Sequence, residues 1–327
     1  MKPANKIFFK ELLRLLLFVA LGLVITLCVC MPIAAIIGIF SHYSASNLFE
    51  GVLPMHLLMW GQSAFIMFLP AIWWCKDRLR RNPYECYGFR KVDYRWLLLS
   101  FAYAVCFLGG FDFINTFIYN FDYPDWMHNY IIEEKIEANN TTQILMNLPG
   151  LGGWIECILL AAIVTGIVEE TMFRGALLKC FGLSTLNKHW VAICVGLIFS
   201  AIHFEFLGFV DRFIFGVIAV YMVYWSGSIW PSIVMHTTNN LICVIQAKLS
   251  DAVDPLDTQD PIVPWYVGIV GLIVTGLLVR AMWQMRVPAT IEAPAFTPQN
   301  QDTCAEPCTD EPCHQPQPHE QDELHKP

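Results

Sequence analysis

Charged residues are scarce in this chain of 327 residues, in which Asp, Glu, Lys and Arg together make up 15%. Soluble globular domains carry about 25% charged residues. Hydrophobic residues, in contrast, account for 56% of the chain. This composition excludes an ordinary soluble domain and is typical of a membrane protein.

Basic surfaces and disulfide patterns are also missing. Outside the short segments beside the hydrophobic runs there is no basic helix or patch, and the net charge is −8. We therefore expect no nucleic-acid partner, because such a partner requires clustered positive charge. The twelve cysteines lack the spacing of a disulfide framework, and most lie in or beside hydrophobic runs. We interpret them as small core residues.

Long hydrophobic runs recur along the chain. A membrane span needs roughly 20 predominantly apolar residues. Eight segments approach that length: residues 12–40, 52–75, 96–112, 154–180, 189–204, 209–225, 229–247 and 262–283. The sequence therefore predicts an all-α, polytopic membrane protein with about eight transmembrane helices.

The first hydrophobic run follows Lys2, Lys6 and Lys10, as the apolar region of a signal peptide would. It is longer than the roughly 7–15 residues of such a region, and no small-residue cleavage site follows it. We therefore expect the run to be retained as a span.

Lysine and arginine are distributed unevenly between the two sides of the predicted array. With the amino terminus inside, 16 of them lie on cytoplasmic segments, whereas only Lys135, Arg212 and Lys248 lie on the opposite side. Arg174 falls within a span. By the positive-inside rule, this distribution predicts that both termini are cytoplasmic.

The predicted organisation has three parts. Residues 1–150 hold the amino-terminal transmembrane helices and an acidic external loop, about residues 113–153, in which we expect an interfacial helix. Residues 151–286 form a transmembrane core. Residues 287–327 are rich in Pro, Gln and acidic residues and are predicted to be a disordered cytoplasmic tail. The tail cysteines lack the C-x-x-C spacing of zinc knuckles, which favours an unstructured tail over a metal site.

Polar side chains interrupt three of the predicted spans. The fourth span holds Glu169, Glu170 and Arg174, the fifth holds His203, and the seventh holds His236 and Asn240. Ionisable groups are costly inside a bilayer and usually mark a function. For either histidine alone, a hydrogen bond between helices is the better interpretation. For the whole set, a shared functional site is the simplest reason to retain them.

Helical geometry divides the two adjacent glutamates. Residues four apart share a helix face, so Glu170 can pair with Arg174, whereas Glu169 points about 100° away. His236 and Asn240 share a face by the same rule. We therefore expect a structural ion pair between Glu170 and Arg174, and a Glu169 that faces a cavity. The alternative is that the ion pair and the histidines are all purely structural.

These groups suit the hydrolysis of an amide. A carboxylate can take a proton from water with the help of an imidazole. A second imidazole and a side-chain amide can donate hydrogen bonds to a developing oxyanion. Glu169, His203 and His236 could instead ligate zinc and leave a position for water. The spacing alone does not decide between these two arrangements.

Three ordered motifs carry a resemblance to a known family. Glu169-Glu170-x-x-x-Arg174, Phe199-x-x-x-His203 and His236-x-x-x-Asn240 resemble the motifs of the CAAX protease and bacteriocin-processing (CPBP, or Abi) intramembrane proteases. Two flanking stretches are also similar to that family: Phe173-Arg174-Gly175 and Gly227-Ser228-Ile229-Trp230-Pro231-Ser232. The resemblance covers about residues 155–247, with the order and spacing of the motifs intact.

By position, the resemblance implies that Glu169 is the general base acting on water, assisted by His203. It implies that His236 and Asn240 stabilise the oxyanion, while Glu170 and Arg174 support the site. Some call the family metalloproteases, whereas its prenyl-protein branch resembles a glutamate-dependent protease. We favour the arrangement without a metal and keep zinc as the alternative. The implied substrate is membrane-associated, either a prenylated CAAX-type protein or a bacteriocin or leader peptide.

Other functions are weighed against this one. Rival protease chemistries have less support because the chain contains no H-E-x-x-H, G-x-S-x-G or G-x-G-D. A non-catalytic immunity or scaffold protein could use the same cavity. A proton-coupled transporter is a weaker alternative, since no inverted repeat is present. The expected partners are membrane lipid and a membrane-associated peptide or protein, and the expected location is a cell membrane, such as a bacterial inner membrane.

The predicted span ends do not place all of these residues at one depth. They put Glu169 and His203 roughly 10 Å nearer the external side than His236. A tilted or re-entrant helix would bring the three residues together. We therefore expect at least one irregular helix in this region.

Overall fold

The fold is described from a computed structural model, which describes residues 3–43, 51–79, 82–119, 121–249 and 264–287. These residues belong to one compact unit, Met1–Ala293. They form helices and connecting turns, and no strand occurs among them. The predicted all-α class is therefore confirmed. The predicted disordered tail lies outside the described residues, apart from its first position, Val287.

Ten helices make up the described part of the chain. In chain order they are α1 (Ala4–Phe40), α2 (Val52–Arg78), α3 (Pro83–Cys86), α4 (Tyr94–Tyr119), α5 (Asp125–Met146), α6 (Gly150–Phe181), α7 (Lys188–Ala201), α8 (Phe209–Ser226), α9 (Trp230–Leu249) and α10 (Trp265–Gln284).

Six of these helices are long and apolar enough to cross a membrane: α1, α2, α4, α6, α8 and α10. Their outward faces carry large apolar side chains, as helices in contact with lipid do, for example Leu13 and Leu17 of α1. The chain is therefore a multi-pass membrane protein. Each of the eight predicted spans coincides with one helix, but α7 is short and α9 falls outside the six. The count of eight spans and the cytoplasmic termini remain predictions.

Helix α7 explains the mismatch in depth between the predicted spans. It contains 14 residues, which is about 21 Å of helix and less than the roughly 30 Å of a bilayer core. The helix ends at Ala201, two residues before His203, so the predicted span 189–204 was too long. A short α7 lets the turn that carries His203 reach the level of residues in the middle of longer helices.

Close packing of α7 against α8 depends on two glycines. A Cβ atom added to Gly216 would lie 2.9 Å from the Cα of Gly196, and one added to Gly196 would lie 3.0 Å from the backbone nitrogen of Val217. The two backbones are therefore in direct contact, as is common where small residues line a helix interface in membranes. The crossing exposes the backbone of α8 to side chains of α6.

Helix α6 contacts α9 in a similar way and also departs from regular α-helical geometry. A Cβ atom on Gly166 would lie 3.1 Å from the backbone nitrogen of Thr237, so the two helices meet one turn before the glutamates. The segments Ile158–Val164 and Thr171–Leu177 are π-helical and flank the α-helical segment Thr165–Glu170. Such π-helical turns are rare in proteins, and those that occur are often found at functional sites.

Helix α5 lies in the predicted external loop, where an interfacial helix was expected. Its carboxyl end is held by side chains from two other helices. His56 of α2 donates through Nε2 to the Leu145 carbonyl at 2.8 Å, and Lys248 of α9 donates to the carbonyls of Met146 and Leu148, each at 2.8 Å. Terminal carbonyls of a helix favour hydrogen-bond donors, and a cation such as Lys248 in particular. The end of α5 is therefore fixed against the bundle.

No disulfide joins the nine cysteines in the described ranges. Cys30, Cys75, Cys157 and Cys180 are buried, as their interpretation as core residues predicts. Cys28 and Cys243 are exposed, so that interpretation is wrong for these two. An apolar side chain on a membrane helix can face lipid as readily as it faces the core.

The α7–α8 crossing can be tested with a pair of glycine substitutions. We expect Gly216→Ala to lower the free energy of unfolding by about 1–3 kcal/mol, because the rigid backbone of Gly196 cannot yield to the new methyl group. Gly109→Ala on α4 is the matched control, since no atom lies within 4 Å of its added Cβ. Reversible unfolding in detergent micelles measures both. Equal stability of the two variants would contradict the close crossing.

Candidate active site

Glu170 lies at the centre of the polar cluster and is completely buried. Its Oε1 accepts a hydrogen bond from Nη1 of Arg174 at 2.8 Å and another from Nδ1 of His236, also at 2.8 Å. The first contact is the ion pair predicted from the spacing of four residues. The second contact links α6 to α9. One carboxylate oxygen thus joins residues of two separate motifs.

Arg174 is also completely buried and extends this connection to α7 and α8. Its Nη2 donates to the carbonyl of Gly216 at 3.1 Å. Its guanidinium carbon lies 4.5 Å from the centre of the Phe199 ring, in the geometry of a cation–π contact. The carbonyl of Gly216 is accessible because a glycine at this crossing leaves no side chain in the way. Arg174 therefore contacts α6, α7 and α8 at one point.

His236 is oriented by groups on both sides of its ring. Because Nδ1 donates to Glu170, a proton on that nitrogen leaves Nε2 directed toward Glu169, whose Oε2 lies 3.8 Å away. The edges of Phe199 and Phe215 pack against the imidazole, with ring centres 5.8 and 5.4 Å from it. The ring is thus held between two carboxylates with different partners.

Glu169 differs from its neighbour in burial and in its partners. Its side chain is 14% exposed, compared with 0% for Glu170. The buried Oε2 of each glutamate has no hydrogen-bond partner among the described residues, but Oε1 of Glu170 accepts two hydrogen bonds, from Arg174 and His236. The structure therefore shows the unequal glutamates that helical geometry predicts. Glu170 is fixed in an ion pair, and Glu169 keeps a carboxylate oxygen available.

His203 lies in the turn that follows α7. Its Nδ1 is 2.8 Å from the carbonyl of Phe199. A carbonyl can only accept, so Nδ1 carries the proton and Nε2 of the neutral ring is a free acceptor. The ring also packs against Phe199, with 5.2 Å between ring centres.

Asn240 has the weakest connection to the cluster. Its Nδ2 donates to the carbonyl of Ala161 at 3.2 Å, and its Oδ1 lies 3.5 Å from Nδ2 of Asn239. Ala161 belongs to the first π-helical segment of α6. Asn240 therefore lies one helical turn from His236, and none of its described hydrogen bonds is to another predicted site residue. Its second amide hydrogen is left for another acceptor.

The structure adds two residues that the sequence analysis missed. Phe215 packs against His236, and the carbonyl of Gly216 binds Arg174. Both lie on α8, which carries none of the three motifs. A phenylalanine in an apolar span gives no signal of a role, whereas a glycine within a span is an indication of close helix packing.

The turn that positions His203 contacts α5. The backbone N–H of Phe206 donates to Oε1 of Glu134 at 2.6 Å. Glu205 pairs with Arg212 at 2.7 Å, and Phe204 adopts a left-handed backbone with φ of 53°. Burial raises the pKa of the Glu134 carboxyl above its ordinary value. A helix outside the predicted spans thus helps to hold the turn after α7.

The side chains of the cluster are also candidate zinc ligands. Within the described ranges, no group of three or more His, Cys, Asp or Glu side chains is arranged to hold a metal ion. Nδ1 of His236 is already bonded to Glu170, which leaves only Nε2 for any further ligand. Zinc binding by Glu169, His203 and His236 stays an untested alternative.

Comparison with known proteins agrees with the location of this cluster. Residues 152–242 match the family model described as type II CAAX prenyl endopeptidase Rce1-like. This segment includes all six predicted site residues, and the match confirms the resemblance seen in the three motifs. The match leaves all of α1–α5 and all of α10 outside.

A curated relative is the uncharacterized protein YyaK of Bacillus subtilis (strain 168). It is 24% identical over 206 residues, which are 60% of this chain and 63% of YyaK. The chain thus covers less than two thirds of that relative's length. No solved structure matches the chain.

The buried ion pair can be tested with a double-mutant cycle. We expect Arg174→Gln to lower the free energy of unfolding by about 3–5 kcal/mol, because it leaves a buried carboxylate without its cation. The double variant Glu170→Gln/Arg174→Gln should recover part of that loss, since it removes both charges. Unfolding measured in micelles for the single and double variants gives the coupling. Additive losses would contradict the ion pair.

The contact between α5 and the turn after α7 predicts a local effect on amide exchange. Glu134→Ala removes the acceptor of the Phe206 N–H, and loss of about 1 kcal/mol of hydrogen bonding should speed its exchange roughly fivefold. Glu133→Ala is the neighbouring control, because Glu133 is exposed and makes no described contact. Hydrogen–deuterium exchange of residues 202–208 reports the difference. Identical exchange in both variants would refute the anchoring.

Proposed function

We propose that this chain, whose residues 152–242 match the type II CAAX prenyl endopeptidase family, is an intramembrane endopeptidase that activates water with Glu169. One observation carries the proposal. A carboxylate oxygen with no described hydrogen-bond partner lies 3.8 Å from an imidazole whose other nitrogen is fixed by a second, ion-paired carboxylate. This arrangement joins a base to an oriented proton donor in a largely buried site.

The proposed scheme requires a protonated His236, because both of its ring nitrogens then donate hydrogen bonds. Glu169 and Glu170 carry two negative charges, and Arg174 carries one positive charge. A second positive charge on the imidazole makes the buried group neutral, and burial of uncompensated charge is costly. Imidazolium at His236 donates through Nδ1 to Glu170, and its Nε2–H is then available to an oxyanion beside Glu169.

The proposed reaction follows from these positions. Glu169 takes one proton from a water molecule, and the water oxygen bonds to the carbonyl carbon of the scissile amide. The carbonyl π electrons move to oxygen, where His236 and the second amide hydrogen of Asn240 donate to the oxyanion. The protonated Glu169 then gives its proton to the amide nitrogen. The C–N bond breaks and yields a carboxylic acid and an amine.

His203 has a supporting part in this scheme. Its Nδ1–H is occupied by the Phe199 carbonyl, so its Nε2 can accept a hydrogen bond from the attacking water. Glu170 and Arg174 do not touch the reacting atoms. They are positioning residues, because they fix the orientation of His236.

The substrate class follows from the family and the membrane. Helices long and apolar enough to cross a bilayer support a substrate that is itself associated with the membrane. We propose as substrate a peptide carried by a membrane anchor, either a prenylated CAAX-type protein or a bacteriocin or leader peptide. The location proposed is a bacterial inner membrane, in line with the similarity to the protein from Bacillus subtilis.

Substitutions in the cluster test the proposed chemistry. We expect Glu169→Gln to lower peptide cleavage by at least about 10²-fold, because the amide cannot take a proton from water. His203→Ala should be nearly as damaging. Glu156→Gln is the control on the same helix, about 20 Å away along its axis, and should keep activity within about twofold. Purified protein in proteoliposomes, with prenylated and unprenylated peptides, provides the assay.

Two outcomes would overturn the assignment. If Glu169→Gln cleaves at the wild-type rate, Glu169 is not the base. If the wild type cleaves none of these peptides while a folded Glu169→Gln variant keeps its cellular phenotype, a scaffold or immunity role replaces the protease. A strong chelator in parallel reactions distinguishes the metal-free mechanism from the zinc-dependent one. Loss of activity that added zinc restores would support the metal alternative.

A further inference from the structure

A groove between the carboxyl ends of α8 and α10 lies outside the three motifs. It is an open groove of about 530 Å³ lined by Trp225, Gly276, Val279, Arg280 and Trp283. Its walls are joined where the backbone N–H of Val287 donates to the carbonyl of Trp225 at 2.8 Å. That carbonyl belongs to the last turn of α8, so the bond fixes the two helix ends beside each other. The groove is thus a built feature of the fold.

Positive charge is concentrated at one end of the groove. Arg280 is exposed, and among the described residues its guanidinium has no ion-pair or hydrogen-bond partner. Arg286 stacks on the Trp283 ring, with its guanidinium carbon 4.0 Å from the ring centre, and donates to a carbonyl rather than to a carboxylate. Two cations therefore flank one indole, and no described carboxylate neutralises them.

The other end of the groove is apolar. No atom lies within 4 Å of a Cβ added to Gly276, so this glycine leaves open space. Gly276 precedes the end of α10 by eight residues, which is about 12 Å of helix toward the bilayer centre. Arg280 and Trp283 lie nearer the helix end, where tryptophan and arginine are typical of the membrane interface. The groove therefore runs from a cationic mouth to an apolar floor.

We propose that this groove binds a phospholipid with an anionic headgroup. Arg280 contacts the headgroup phosphate, because a guanidinium matches phosphate oxygens with two parallel hydrogen bonds. The indole rings of Trp225 and Trp283 border the glycerol region. One acyl chain follows Val279 into the space left by Gly276. The apolar floor distinguishes this occupant from a free phosphate ion, which would use the arginine end alone.

A lipid bound in this groove would contact α8, which also carries residues of the candidate active site. Helix α8 carries Trp225 near its carboxyl end, and the same helix presents Phe215 and the Gly216 carbonyl to the cluster. The groove and the site therefore share one rigid helix. The binding proposal itself does not depend on the proposed protease function, because it rests only on the groove.

Lipid titration followed by native mass spectrometry tests the site. The full chain is purified in detergent and titrated with dioleoylphosphatidylglycerol, with dioleoylphosphatidylcholine, or with inorganic phosphate. We expect the anionic lipid to bind at least about fivefold more tightly than the zwitterionic lipid. Arg280→Gln should weaken anionic lipid binding about fivefold. Gly276→Leu, which fills the apolar end without changing charge, should weaken both lipids. Arg95→Gln is the matched control, because Arg95 is exposed and does not line the groove.

Each remaining outcome overturns the proposal. If the two lipids bind equally well, or if Arg280→Gln leaves binding unchanged, Arg280 does not recognise the anionic headgroup. If Gly276→Leu binds both lipids as tightly as the wild type does, no acyl chain occupies the groove. Inorganic phosphate that binds through Arg280 as tightly as the lipid would make this an ion site. Thermal unfolding of each variant separates lost binding from lost fold, and a lipid effect that Arg95→Gln shares would reduce the site to general surface charge.

Discussion

The contact on which the candidate site depends is the buried carboxylate of Glu170, bonded through one oxygen to both Arg174 and His236. An isolated ion buried at this position would not recover the free energy lost on leaving water. Glu170 and Arg174 are therefore stable as ions only as a pair. Arg174 also needs the Gly216 carbonyl and the Phe199 ring. Four helices therefore meet at one ion pair, and the orientation of His236 is a consequence of that meeting.

The length of α7 is the second constraint on the site. A helix of about 21 Å is shorter than a bilayer core of roughly 30 Å, so the turn after it can lie among the longer helices. Gly196 and Gly216 allow the backbones of α7 and α8 to touch, which places the carbonyl needed by Arg174 within reach. Bulkier residues at this crossing would separate the helices and remove that acceptor. The two glycines therefore determine both the close packing of α7 against α8 and the hydrogen bond that Arg174 donates to Gly216.

Local periodicity predicted part of this arrangement and missed the rest for a physical reason. The pair of Glu170 and Arg174 follows from residues four apart on one helix, and the different surroundings of Glu169 follow from the same rotation. The bond from His236 to Glu170 joins residues 66 positions apart, and no spacing rule reaches that far. The contributions of Phe215 and Gly216 were missed because an apolar helix shows no mark of which neighbour it meets. The end of α7 was placed too late because hydropathy continues beyond the last helical residue.

The two π-helical segments of α6 give this helix a particular tolerance to changes in chain length. A π-helical turn holds one more residue than an α-helical turn does, so a single insertion can be absorbed there. Elsewhere in a helix, one added residue would rotate everything beyond it by about 100°. Ile158–Val164 and Thr171–Leu177 enclose the glutamate pair on both sides. Relatives that differ in length on either side of Glu169 and Glu170 could therefore keep both carboxylates directed at His236.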